Sequence, residues 1–295
     1  IENWELWQIV GFLEKFGLGA ESAKKVYNLL GVNAIEEIEA NPYILIYISR
    51  NVDFKQIDEM AMKLGMEMQN NKRIKSGIKY ALIKITYNGH CCTQKENLIE
   101  YVKQLLGVSK EVIEEGIINL KVNNEIVIED RDGIEWIYLY SFYNAEKQIA
   151  EKIVKLNKAK NTKKVVNIEK ELKIIEEKTD IILSEKQKEA IKEINENNVT
   201  IITGGPGTGK TTIIKSIIEI YNQKKYKIVL CAPTGRAAKR MTETTGEEAS
   251  TLHRLLEIGK VDEESLFNKE SEYQGSPIDA DIIIVDEVSM VDMFI

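Results

Sequence analysis

The sequence predicts a mixed fold: an all-α N-terminal region, a helical module closed by a β-hairpin, and a final α/β layer with a parallel sheet. Three observations carry this. Apolar residues recur at helical spacing from Leu6 to Leu120, the pattern of half-buried helices. Two β-prone runs flank the turn residues Asp130 to Gly133. In the last third, short continuous apolar runs alternate with helical stretches, as in strands covered on both faces. The chain has 295 residues, 43% hydrophobic and 29% charged, which suits two domains or three small ones and excludes a wholly disordered chain. No run approaches the ~18 apolar residues that a membrane-spanning helix needs. The start, Ile1-Glu2-Asn3-Trp4, has no initiator Met and no basic leader, so Ile1 reads as a cut end without a secretory signal.

Leu6, Ile9, Val10, Leu13 and Phe16 make the first helix, which Gly17-Leu18-Gly19 interrupts. Ala23, Val26, Tyr27 and Leu30 make the second, with Gly31 as its C-cap. Ala34, Ile35 and Ile38 open a third, and Pro42 suits the first turn of the next. The connection Arg50-Asn51-Val52-Asp53-Phe54 leads into a helix carrying Ile57, Met60, Ala61 and Leu64. The same helix–turn–helix unit is thus used twice over residues 1–75. A longer helix from Lys72 to Tyr87 follows. Thr93-Gln94-Lys95-Glu96 reads as a capping box for a helix through Leu106, and Ser109 as the cap of another through Leu120. Glu125 to Glu129 and Ile134 to Tyr140 pair as a hairpin, so residues 76–142 are expected to form a winged-helix-like module. Residues 143–183 hold a helix from Asn144 to Lys158 and a Lys/Glu-rich connection. They lead to an α/β lobe over 184–295, with strands expected at Val199–Thr203, Ile228–Ala232 and Asp281–Val285.

Net charge is −7, yet the charge is unevenly placed. Thr203 to Met241 carries eight Lys/Arg against one Glu, whereas Thr242 to Ile295 carries three basic and 14 acidic residues. Exposed charges are screened beyond ~10 Å, so an acidic total does not exclude a polyanionic partner. Cys91, Cys92 and Cys231 are an odd set with two adjacent, which makes no disulfide framework and points to a reducing, cytoplasmic setting. His90 beside Cys91 and Cys92 has no second ligand pair at finger-like spacing, so no metal site is expected there.

The chemistry concentrates late in the chain. Gly204-Gly205-Pro206-Gly207-Thr208-Gly209-Lys210-Thr211 fits G-x-x-x-x-G-K-[ST], between an expected strand and a helix that begins with Thr212, Ile213 and Ile214. Glycines let backbone N–H groups close around phosphate oxygens, and the helix start adds positive potential. Lys210 can reach the β- and γ-phosphates, and the Thr211 hydroxyl can hold Mg²⁺. Asp286 and Glu287 follow an apolar run and so stand at a strand's carboxyl end, where Asp286 suits the metal and Glu287 the attacking water. Ser184-Glu185-Lys186-Gln187 has two readings: a capping box, or a glutamine whose amide pairs with adenine. Thr234, Gly235, Arg236, Lys239 and Arg240, with Thr251, His253 and Arg254, suit a phosphate track, or else a solvated basic face. Gly17 and Gly19 allow a hairpin that holds a DNA phosphate without reading sequence, or simply a tight turn.

The ordered set of the phosphate loop, APTGRAAKRM, TLHRLL and VDEVSM resembles superfamily-one helicases of the five-prime-to-three-prime branch, closest to the RecD-like group. In that group, which includes the exodeoxyribonuclease V alpha subunit, tandem helix-hairpin-helix units precede a RecA-like motor. The resemblance implies ATP and Mg²⁺ as cofactors, with Gln187 on adenine and Gly205 to Thr212 on the phosphates. It further implies Thr211 and Asp286 on the metal, and Lys210 and Glu287 in catalysis. Thr234, Gly235, Arg236, Lys239, Thr251, His253 and Arg254 would follow single-stranded DNA, and Gly17 and Gly19 would grip it near single/double-strand junctions. The function implied is 5′–3′ translocation on single-stranded DNA in recombination and repair, alone or with a nuclease partner.

Two departures qualify this. The second hairpin has Asn51 and Asp53 where the family usually has glycines. Both tolerate φ > 0 better than other non-glycine residues, which preserves the turn but not the phosphate grip. The chain also stops at Ile295, short of the second RecA-like lobe and its arginine finger, a group worth ~10³–10⁵ in rate. The lobe is therefore expected to be truncated. Residues 1–295 should bind nucleotide weakly, hydrolyse it negligibly and unwind nothing, while the parent protein is a DNA-stimulated ATPase. A Pif/Dda-type helicase and a non-catalytic DNA-binding adaptor with a vestigial phosphate loop are the competing readings.

Overall fold

The computed structural model describes residues 2–48, 52–205, 207–258 and 277–295, which fall into two compact units meeting in sequence at Ala145/Glu146. The first begins with α1 (Glu2–Glu14), α2 (Ala20–Leu30), α3 (Ala34–Ala40), α4 (Leu45–Ile48), α5 (Phe54–Lys63) and α6 (Asn71–Tyr87). α1 stops where Gly17 turns to φ 77°, a conformation that favours glycine. Leu18 N then donates to Leu13 O at 3.1 Å and Gly17 N to Glu14 O at 3.0 Å, the paired bonds of a left-handed helix stop. Leu13 and Leu18 are both buried, so the turn is also fixed by an apolar contact. Gly65 ends α5 in the same way, with Met66 N donating to Ala61 O. Arg50 and Asn51 of the second hairpin lie outside the described residues.

α6, capped by the Asn70 side chain, runs into β1 (Cys92–Gln94), α7 (Lys95–Leu106), α8 (Lys110–Val122), β2 (Ile126–Arg131) and β3 (Ile134–Leu139). The strands form an antiparallel sheet of order β1-β3-β2, with Ile126 opposite Leu139 and Arg131 opposite Ile134. One expectation fails here. Thr93 does not cap α7, because Cys92 to Gln94 pair with Trp136 to Tyr138 and the helix starts at Lys95 behind Gln94 without a side-chain cap. A distant strand outcompeted the local box. The core of this unit is one apolar cluster that includes Leu13, Ile38, Tyr43, Phe54, Ile78, Leu98, Ile117 and Ile137. Within it Arg73, only 2% exposed, forks onto Asp58.

α9 (Tyr140–Lys158) carries the chain into the second unit, followed by α10 (Ile168–Thr179), α11 (Glu185–Glu196) and α12 (Lys210–Gln223). Then come β4 (Ile228–Ala232), α13 (Gly235–Thr245), β5 (Ala249–Thr251), α14 (Leu252–Leu255) and β6 (Ile282–Val285). The sheet is parallel, order β5-β4-β6, with Leu230 level with Ala249 and with Ile284. One cluster gathers Leu172, Ile175, Ile191, Ile213, Ile217 and Tyr221, and another Ile218, Leu230 and Met241. α10 arises inside the Lys/Glu-rich stretch and is amphipathic, burying Leu172 and Ile175. Burial of β4 pushes the Cys231 thiol up to about 11, so it behaves as a small apolar residue. Among the described residues no helix is long and apolar enough to cross a membrane.

The strand expected at Val199–Thr203 does not form among the described residues. There the segment is not hydrogen-bonded into the sheet and Ile201 is 82% exposed, although Ile202 joins the cluster that holds Ile282 and Ile284. β-propensity supplies the residues of a strand, but the ladder itself needs a partner edge, and that is a non-local requirement.

Asn195 fastens the approach to α10 onto α11. It is 1% exposed; its Oδ1 accepts from Val165 N at 2.7 Å and from the Tyr221 hydroxyl at 3.2 Å, and its Nδ2 donates to Val165 O at 3.1 Å. Asn195→Ala leaves both buried backbone groups of Val165 without partners, and should cost about 2–4 kcal/mol in urea denaturation. A loss below about 1 kcal/mol would show that water replaces the amide.

Candidate functional site

The candidate site is built on the start of α12 and the carboxyl edge of the parallel sheet. The loop before α12 holds no carboxylate from Gly204 to Thr212. Gly207 has φ 75° and Gly209, the N-cap of α12, φ 87°. Gly209 also allows a close approach, since a Cβ there would lie 2.2 Å from Gln187 Nε2. The Thr208 hydroxyl donates to Gly205 O at 2.9 Å, a tie within the loop that the sequence pattern did not announce. Lys210 Nζ folds back to donate to Gly204 O and, at 3.3 Å, to Gly205 O, which sets an ammonium over the loop backbone. Thr211 is exposed and Thr212 half-buried on the first turn. Pro206 lies outside the described residues.

Both readings of Gln187 have a structural counterpart. The capping box is closed: Ser184 N donates to Gln187 Oε1 at 2.8 Å, and Gln187 N to Ser184 Oγ at 3.4 Å. The other end of the same amide reaches the loop, where Nε2 donates to Thr208 O at 3.4 Å.

The sheet register gathers the remaining candidates of this unit at one edge. Ala232 is level with Thr251, and Cys231 with Val285, so Thr234 to Arg236, Thr251 to Arg254 and Asp286-Glu287 all leave the same carboxyl edge. That edge is where open α/β sheets bind ligands. Asp286 is half-buried and held to the sheet by its N–H on Cys231 O at 3.0 Å. Its Oδ1 accepts from Glu287 N at 2.9 Å, and Glu287 takes φ 53°, an uncommon conformation that turns the chain off the strand. α12 packs Ile213 and Ile217 into the cluster with Ile282 and Ile284, and its last turn precedes the start of β4. The helix therefore runs against the strands, with Lys210 at its carboxyl-edge end.

Thr234 caps α13 by accepting from Ala237 N at 3.2 Å, and Thr251 caps α14 by accepting from Arg254 N at 3.2 Å. Gly235, Arg236, Lys239, His253 and Arg254 are exposed; Lys239 makes a long 3.9 Å contact with Glu243. In the first unit, Gly17 forms the stop of α1, and Gly19 is the N-cap of α2 at φ −82° with open space where a Cβ would stand. Asp53, at the matching place before α5, has φ −78°. Neither of these two positions needs a left-handed backbone, so tolerance of positive φ is not what preserves the second turn at Asp53.

A family model described as the ATP-dependent RecD2 DNA helicase HHH domain matches residues 2–92, and one described as an AAA domain matches residues 187–295. The ATP-dependent RecD2 DNA helicase of Deinococcus radiodurans is 26% identical over 293 residues, covering 96% of this chain and 39% of that protein. The RecBCD enzyme subunit RecD of Buchnera aphidicola (subsp. Acyrthosiphon pisum) is 36% identical over 177 residues, covering 53% and 28%. The ATP-dependent DNA helicase dda of Enterobacteria phage T4 is 39% identical over 116 residues, covering 37% and 26%. The chain thus spans well under half the length of these relatives. The fold and the matches define a helix-hairpin-helix region followed by a P-loop domain. Within that class the chain is similar to the N-terminal part of RecD-type helicases.

Proposed function

We propose that this protein is an ATP-dependent DNA helicase of the RecD type, acting in recombination or repair and moving 5′–3′ on single-stranded DNA. The observation that carries the reading is the acid-free loop Gly204–Thr212. It opens α12 with Lys210 folded over its backbone and is touched by Gln187, in the unit whose sheet edge carries Asp286 and Glu287. The match of the RecD2 helix-hairpin-helix model to residues 2–92 favours this over a Dda-type enzyme.

Backbone N–H groups at the start of α12 and the Lys210 ammonium suit a triphosphate, and nothing anionic in the loop opposes it. Thr211 and Asp286 would hold Mg²⁺, a two-ligand set that leaves positions for phosphate oxygens and water. When bound, the ion neutralises charge developing on the transferring phosphoryl group. Glu287 accepts the proton of the attacking water, and Lys210 orients the terminal phosphates. Gln187 keeps one amide end in its capping box and turns the other toward the nucleotide. Thr234 to Lys239 and Thr251 to Arg254 follow the DNA backbone as donors and cations, which position a strand without reading it. Residues 1–75 form the hairpin region that meets DNA at single/double-strand junctions, and 76–142 a winged-helix-like module. Residues 143–183 connect them to the P-loop lobe at 184–295. Cysteine usage supports a cytoplasmic setting.

The test is DNA-stimulated phosphate release and strand displacement by the full-length parent protein with Mg²⁺-ATP. Turnover that rises with single-stranded DNA, and unwinding only of duplexes with a 5′ tail, is expected. Failure of the full-length protein to bind labelled ATP would point instead to a DNA-binding adaptor.

A further inference from the structure

The turn of the first hairpin is held from outside. Gln56 Nε2 donates to Phe16 O at 3.0 Å and to Gly17 O at 3.1 Å. The fit is close, since a Cβ at Gly17 would lie 3.2 Å from that nitrogen. Gln56 is the third residue of α5 and Asp53 is its N-cap, so Asp53-Phe54-Lys55-Gln56 has the side chains for a reciprocal capping box. The box is not made. Asp53 caps no N–H and its Oδ1 accepts from the Tyr80 hydroxyl at 3.3 Å, while the Gln56 amide crosses to the other hairpin. At α11 the comparable Ser184/Gln187 signature closes fully. A favourable local cap has therefore been given up at α5 for a bond to residues 39 and 40 positions away.

What that bond controls is the entry to α2. Among the described residues no backbone carbonyl accepts from the N–H of Gly19, Ala20 or Glu21, and Gly19 has no side-chain cap. Pinning the carbonyls of Phe16 and Gly17 fixes the two peptide planes immediately before Leu18, while Leu18 N is tied to Leu13 O. Together these set the direction in which Gly19 to Glu21 present their N–H groups. We propose that Gln56 is a positioning residue for the DNA-contacting hairpin, and that the second helix–turn–helix unit acts as a brace for the first. This rests on the reading that the Gly17–Gly19 hairpin holds a DNA phosphate.

The test measures binding of the full-length protein to a fluorescent duplex with a single-stranded tail, by anisotropy across a salt series, with thermal melting alongside. Gln56→Glu keeps the shape but turns a donor into an anion facing two carbonyls; Gln56→Ala removes the group and carries the test if the first variant does not fold. Gly19→Leu is the reference, because its backbone and the open space beside it accept a side chain that blocks close approach. All three variants should weaken binding about threefold or more. The slope of log affinity against log salt should stay for Gln56→Ala and Gly19→Leu, because a neutral N–H donor releases no counterion, whereas a lost Lys or Arg contact would lower it by about 0.7–0.9 and overturn the hairpin reading. A merely structural Gln56 would lower the melting temperature and leave the affinity of the folded protein unmoved. If Gly19→Leu weakens binding and both Gln56 variants bind like the wild type, the brace is refuted and the hairpin reading stands. If Gly19→Leu binds like the wild type, the hairpin reading fails and the brace with it.

Discussion

Lys210→Ala is expected to lower ATP hydrolysis by the full-length protein by at least about 10²–10³-fold, the loss typical of removing one preorganised charge donor from a transferring group. Lys210 is exposed, and among the described residues its side chain bonds to carbonyls of its own loop, Gly204 and Gly205. Its removal therefore creates no buried orphan, and the melting temperature should stay within the small range of surface substitutions. That combination separates a chemical role from a structural one. Gly209→Ala should also abolish nucleotide binding, but through the loop: it strains a backbone at φ 87° and drives a Cβ into Gln187. Equilibrium binding of a fluorescent ATP analogue, DNA-stimulated phosphate release and melting, measured on both variants, make the comparison. Hydrolysis by Lys210→Ala within threefold of the wild type would remove the phosphate assignment, and with it the motor reading.

The features legible in the sequence were those fixed by neighbours along the chain. The helix start after the glycine-rich loop, the cap at Ser184, the stop at Gly17, and the hairpin turning between Asp130 and Gly133 each depend on a few consecutive residues, and each formed. What stayed illegible depends on partners far away. Val199 to Thr203 has the composition of a buried strand, yet pairing needs an adjacent edge that composition does not specify. Thr93 has the residues of a cap, but a strand more than 40 positions on claimed its backbone. Gln187 illustrates the limit from the other side: the box predicted locally closed, and only the fold revealed that the same side chain also reaches Thr208. Gln56 was silent for the same reason, since nothing near it in sequence marks a bond to Phe16 and Gly17.

Arg73 carries the largest expected effect on stability. Its Nε and Nη2 donate to Asp58 Oδ1 and Oδ2, both at 2.8 Å, a two-point geometry that only a guanidinium provides. Two further N–H groups donate to Met68 O at 2.8 Å and Leu106 O at 3.1 Å, so one side chain ties α5, the end of α7 and the turn before α6 together. The Tyr43 hydroxyl donates to Asp58 at 2.5 Å, and burial, reinforced by Asp58, pushes that hydroxyl well above its ordinary range. Charge is thus balanced inside an apolar cluster. Replacing Arg73 removes the balance: Asp58 is left a largely buried, unpaired carboxylate, and two carbonyls lose their donors. Arg73→Met should destabilise the first unit by about 3–5 kcal/mol, far beyond the ~0–1 kcal/mol of an exposed ion pair. Arg73→Lys should recover little, because an ammonium cannot reach all four acceptors in one plane. Arg73→Met combined with Asp58→Leu should be less destabilised than Arg73→Met alone, since apolar replacement of both partners removes the stranded charge. Chemical denaturation of the four proteins decides it. If Arg73→Met loses less than about 1 kcal/mol, the network is a passenger in a core that apolar packing alone sustains.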